Sequence, residues 1–102
     1  MNINGLKVDA AKIGHGLYAI IEEKGEEAIV AFGMVPKWAI DMAERAVRDK
    51  VVAIAAEQIG CTVDEFKPFI DEDKVKQTVQ PILHEITLGI YDAASKAGKL
   101  LV

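Results

Sequence analysis

Six consecutive apolar residues, Val51 to Ala56, interrupt a segment that otherwise reads as a charged amphipathic helix. Upstream, Asp41, Glu44, Arg45 and Arg48 make one polar stripe, while Trp38, Ile40, Met42, Ala43, Ala46 and Val47 face away from it. Continued at about 100° per residue, the helix brings Val52 and Ala55 into line with the charged stripe. Lys50 and Glu57 then fall on the formerly apolar side. A helix lying alone on a monomer surface has no use for such a switch. Either the helix kinks near Lys50, or its second half is buried on all sides by the rest of the chain or by another copy. The small side chains of Ala53, Ala55 and Ala56 permit close helix approach. Val52, Ala55 and Ala56 are therefore placed at a subunit contact or at a second internal helix contact.

The chain has 102 residues, enough for one domain, 1–102, with a modest core. Hydrophobic residues make up 51% of it, and the mean hydropathy is +0.18. Small domains have much surface for their volume, so part of this apolar material stays exposed unless another subunit covers it. A homo-oligomer, dimer or higher, is expected. Sixteen acidic against 12 basic residues give a net charge of −4, which argues against a nucleic-acid partner. The single cysteine, Cys61, rules out an internal disulfide and suits a reducing compartment. Met1 to Val8 lacks the apolar run and basic flank of a signal peptide, and the longest apolar run, Ala28 to Val35, is too short to span a bilayer. These features predict a cytoplasmic protein with no membrane partner.

Asn2 to Val8 reads as a short, extended segment with an Asn4-Gly5 turn, and Asp9 as the cap of a helix from about Ala10 to Lys24. Ile13, Leu17, Ile20 and Ile21 form its apolar face, with Tyr18 at the edge. Gly14 falls within this face and Gly16 beside it. Two helical glycines cost roughly 1 kcal/mol each, which close approach of another backbone would offset. Ala28 to Val35 fits a buried strand or a buried helix; Glu26 and Glu27 ahead of it favour the helix. Pro36 opens the next helix, running to Ile59, with Asp41–Arg45, Glu44–Arg48 and Arg45–Asp49 as i,i+4 pairs.

Thr62-Val63-Asp64-Glu65 reads as a capping box opening a short helix that Pro68 ends. Phe66, Phe69 and Ile70 are expected to dock this element onto the core. Asp71 or Asp73 caps a last helix to about Ala97, with Val75, Val79, Ile82, Leu83, Ile86, Ile90, Ala93 and Ala94 as one apolar stripe. The expected fold is all-α, a bundle of four or five helices. The alternative is α+β, with a small sheet built from the N-terminus, residues 28–35 or the C-terminal tail.

Chemistry-bearing patterns are sparse. His84 and Glu85 are sequence neighbours, about 100° apart on a helix, and position 88 is Leu88 where a zinc HExxH motif needs His. His15 is within two turns of Glu22, or can meet His84 across the fold. The only serine is Ser95, which removes serine hydrolases. No metal or cofactor is expected, and an enzyme is the less favoured class.

Three surface features point to binding. His84, Leu88 and Tyr91 form a secondary stripe on the last helix, suited to an interface or to packing under Ala28 to Val35. Glu57 to Asp73 holds six acidic residues and one Lys, net −5. Asp64, Glu65, Asp71, Glu72 and Asp73 there make a candidate docking patch for a basic protein. Phe32, Met34, Trp38, Met42 and Phe66 are candidates for an apolar ligand pocket. The leading expectation is a self-associating helical interaction, scaffolding or accessory protein; an apolar-ligand carrier and a His/carboxylate enzyme are the alternatives.

Overall fold

The last helix is the spine of the molecule, and its sequence explains why. In the computed structural model, which describes residues 4–100 and the side chains of 9–100, the chain forms five helices. They are α1 (Asn4–Glu23), α2 (Glu27–Ala31), α3 (Lys37–Ile59), α4 (Val63–Phe66) and α5 (Glu72–Lys96), with a 3₁₀ turn, Lys67–Phe69, between the last two. The fold is all-α, and no strand occurs among the described residues. Asp71 starts α5 by accepting, through Oδ1, the backbone N–H groups of Asp73 at 3.1 Å and Lys74 at 3.3 Å. The predicted stripe then turns inward: Val79, Ile82, Leu83, Ile86, Ile90 and Ala94 are buried, and Val75 and Ala93 half-buried. Pro81 lies on the exposed side.

Both other long helices pack on α5, in opposite directions. His15 meets Asp92 and Glu22 meets Lys99, so α1 runs parallel to α5. Arg48 meets Glu72 and Gly33 meets Tyr91, so α3 runs antiparallel. The α1–α5 crossing is made by glycine on both sides. A Cβ on Gly14 would collide with Ile86 O and lie 2.8 Å from Gly89 Cα; one on Gly89 would lie 2.7 Å from Ala11 O. The return expected for Gly14 is therefore real, and Gly89 supplies the other half of it. Ile21, Ile82, Ile86 and Ile90 are fully buried around this seam.

The helix boundaries correct two expectations. Asn4 already belongs to α1, so Asn4-Gly5 is not a turn and Asp9 lies within the helix instead of capping it. Ala10 is wholly buried in the core, and packing on α5 outweighs the local turn signal. Residues 1–3 and 101–102 lie outside the described residues. Ala28 to Val35 is not one element: α2 ends at Ala31 and a turn follows. Gly25 closes α1 at φ +73, its N–H bonded to Glu22 O and that of Glu26 to Ile21 O. Gly60 closes α3 the same way.

The apolar switch in α3 has an internal cause. The helix is unbroken from Lys37 to Ile59. Its first half packs on α5 through Ala39, Ala43 and Val47, whereas Val52 and Ala56 are buried outside that main cluster. There, Val52 and Ala55 share a groove with Phe66 and Ile70 of the α4 segment. The apolar face rotates because a second neighbour joins the first. Arg48, expected to pair with Glu44, reaches Glu72 at 2.7 Å.

The result is a rod of 46 × 22 × 21 Å. The register of Ala11 on Gly89 puts Asn4 at about the level of Ile82. Among the described residues, one end of the rod has three long helices, and the other has α3, α5 and the short α4 segment.

Candidate functional site

The two-helix end carries a groove. Val51, Val52 and Ala55 of α3 form one wall, Val75 and Thr78 of α5 the other, and Phe66 and Ile70 close it; its volume is about 240 Å³. Thr62 builds the closing segment. Its Oγ1 accepts the Glu65 N–H at 3.2 Å, while Glu65 Oε1 accepts the Thr62 N–H at 3.0 Å. Phe66 and Ile70 dock inward as expected, but Phe69 does not: it is 78% exposed. Residues three apart eclipse one another in a 3₁₀ turn, so Phe69 stands outside Phe66 on the groove's lip. Ile59, also exposed, and Cys61 line an adjoining apolar depression with Phe66 and Phe69.

Carboxylates surround this apolar lip. Asp71 lines the groove and Glu65 the adjoining depression. Each uses one oxygen for helix capping. The Thr62 backbone N–H holds the Glu65 carboxyl below its ordinary range. Asp64 pairs with Lys67 at 3.2 Å and Glu72 with Arg48. Asp73 is exposed beside them. The acidic residues singled out in the sequence thus gather at one end of the rod.

The remaining candidates separate. Val52 and Ala56 are 4% and 1% exposed, covered within the chain itself, and half-buried Ala55 lines the groove wall beside Val52. Val52→Asp would bury a charge and strike the fold before any subunit contact. Tyr91 packs toward the α2–α3 turn, donating its hydroxyl to Gly33 O at 2.7 Å. His84 and Leu88 are exposed. The five residues proposed to line an apolar pocket do not converge. Trp38 and Met42 border a shallow depression on α3, Phe66 lies in the groove, and Phe32 and Met34 are exposed at the α2–α3 turn.

His15 Nε2 lies 2.8 Å from Asp92, whose carboxyl is held below its ordinary range by Lys96 and by His15. Among the described residues, no three His, Cys, Asp or Glu side chains are grouped to hold a metal ion. Nor, among the described residues, is any helix long and apolar enough to cross a membrane.

Some features carried no sequence signal. Trp38 donates its indole N–H to Glu26 at 2.6 Å, and Lys24 Nζ sits 4.6 Å above its ring, tying the α1–α2 turn to α3. The Tyr18 hydroxyl and Glu27 Oε2 are buried without a hydrogen-bond partner among the described residues. Burial, followed by the charge of Glu22, raises the Tyr18 pKa. Compared with protein-family models, with curated proteins and with solved structures, the chain matches none.

Proposed function

We propose that the chain is a small self-associating helical interaction module, acting as a scaffold or accessory protein. The observation that carries this reading is the uncovered apolar surface at the α2–α3 turn, where Phe32 and Met34 are 68% and 66% exposed. Burying such a side chain is worth roughly 1.5–3 kcal/mol, which a free monomer forgoes. Ile29 and Leu88 are exposed as well, and Tyr91 ties α5 to the same turn. The surface is also electrically balanced. Between residues 24 and 37, Lys24 and Lys37 offset Glu26 and Glu27, so two copies meet there without like-charge repulsion.

Native mass spectrometry, with sedimentation velocity over the micromolar range, tests this. The protein runs as a dimer or higher species, and Phe32→Asp shifts it to monomer with unchanged helical circular dichroism. Phe69→Asp, at the far end of α3, leaves the assembly intact. A wild-type protein that stays monomeric throughout that range rejects self-association.

A further inference from the structure

We propose that Met34 is an oxidation switch on the self-association surface: a peroxide turns its thioether into a sulfoxide, and the copies separate. The inference rests on the self-association reading and concerns how that same contact is controlled.

The first argument is where the sulfur stands. Gly33, between Phe32 and Met34, adopts φ +88, a left-handed conformation that glycine enters without a Cβ penalty. The turn it makes after α2 leaves both flanking side chains out of the core, Phe32 at 68% and Met34 at 66% exposure. The chain has three methionines. Met42 is less exposed, at 47%, and borders the depression on α3 with Asp41, Arg45 and Asp49. Met1 lies outside the described residues. Among the described residues, Met34 is therefore the thioether that a small oxidant reaches most readily, and it stands in the surface through which two copies meet.

The second argument is what an oxygen on that sulfur would find. A sulfur lone pair attacks one oxygen of hydrogen peroxide and the O–O bond breaks. The departing hydroxide removes the proton of the transferred oxygen and leaves as water. The sulfur loses two electrons and the peroxide gains them. The product carries a strong hydrogen-bond acceptor where the thioether was a weak one. The backbone donors of the turn are already engaged: the N–H of Phe32 goes to Ala28 O at 3.2 Å, that of Gly33 to Val30 O at 2.9 Å and that of Met34 to Ile29 O at 3.1 Å. The Tyr91 hydroxyl is spent on Gly33 O, and Pro36 has no N–H. In the free chain, water satisfies the sulfoxide. Covered by a second apolar surface, it has no donor. A two-fold contact holds two such groups, so the dissociation constant rises about a hundred-fold.

The test uses the full chain carrying Cys61→Ala, which removes the free thiol as a second target. Hydrogen peroxide is added, peptide mapping by mass spectrometry follows each methionine, and sedimentation velocity follows the assembly. Met34 oxidises first, and the assembly falls to monomer in step with it while helical circular dichroism stays unchanged. Methionine sulfoxide reductase with a dithiol reverses both changes. Met34→Leu keeps the apolar bulk, self-associates and stays assembled in peroxide, whereas Met42→Leu dissociates as the parent does. Oxidation of Met34 slows as protein concentration rises, because assembly covers the sulfur. An assembly that survives full oxidation of Met34, or a Met34→Leu assembly that peroxide dissociates as readily as the parent, rejects the switch alone. Loss of helical signal in step with dissociation does the same, since the chain would then be unfolding. An unoxidised protein that stays monomeric throughout the micromolar range rejects the self-association on which the switch acts.

Discussion

Two of the chain's glycines show how far one residue type can differ in meaning. Gly14 faces α5 at backbone distance, and a methyl group there would collide with Ile86 O and press on Gly89. Backbone atoms cannot rotate away, so Gly14→Ala forces the helices apart. Gly16, two residues on, is exposed, and nothing lies within 4 Å of a Cβ built on it. There the substitution only raises helix propensity. Urea unfolding should show Gly14→Ala destabilised by about 1–3 kcal/mol and Gly16→Ala stabilised by up to about 1 kcal/mol. Equal effects would mean that the close crossing is absent. The crossing was half legible beforehand, since Gly14 falls within an apolar helix face. Gly89 was not, because a sequence does not say which helix will come to lie across it.

At the scale of elements, local chemistry was the readable part. The box at Thr62 and Glu65 and the Asp71 cap form as the residue spacing predicts, because these bonds close within three residues. The α5 stripe was equally plain. What stayed hidden depends on distant partners: the start of α1 before Asp9, the pairing of Arg48 with Glu72, and the outward turn of Phe69. α4 has only four residues, so its entry depends on the capping box. Thr62→Ala should cost about 1 kcal/mol. Glu65 adds a pH dependence of known sign. Its folded pKa lies below the unfolded value, so its contribution is present above the ordinary carboxylate range and is lost as pH falls through the depressed value. The stability gap between wild type and Glu65→Ala should therefore narrow as pH falls below the ordinary carboxylate range. A gap that persists in acid would place the effect outside the carboxylate.

Over the whole molecule, stability should be graded along the rod. α5 runs through both ends but is covered differently in each. Ile82, Ile86 and Ile90 are fully buried beneath α1 and α3. Val75 and Thr78 are only half-buried and line an open groove. Opening the two-helix end exposes less apolar surface, so it costs less free energy and occurs more often. Amide hydrogen exchange should accordingly be faster at Val75–Val79 than at Ile86–Ile90, within one continuous helix. α3 supplies the control: Val52–Ala56 should exchange faster than Ala39–Val47, although both stretches lie within the same helix. The sequence hinted at this division through the apolar switch at Val51, without showing that the second neighbour is the α4 segment. Uniform protection along α5 would mean that the rod unfolds as one unit.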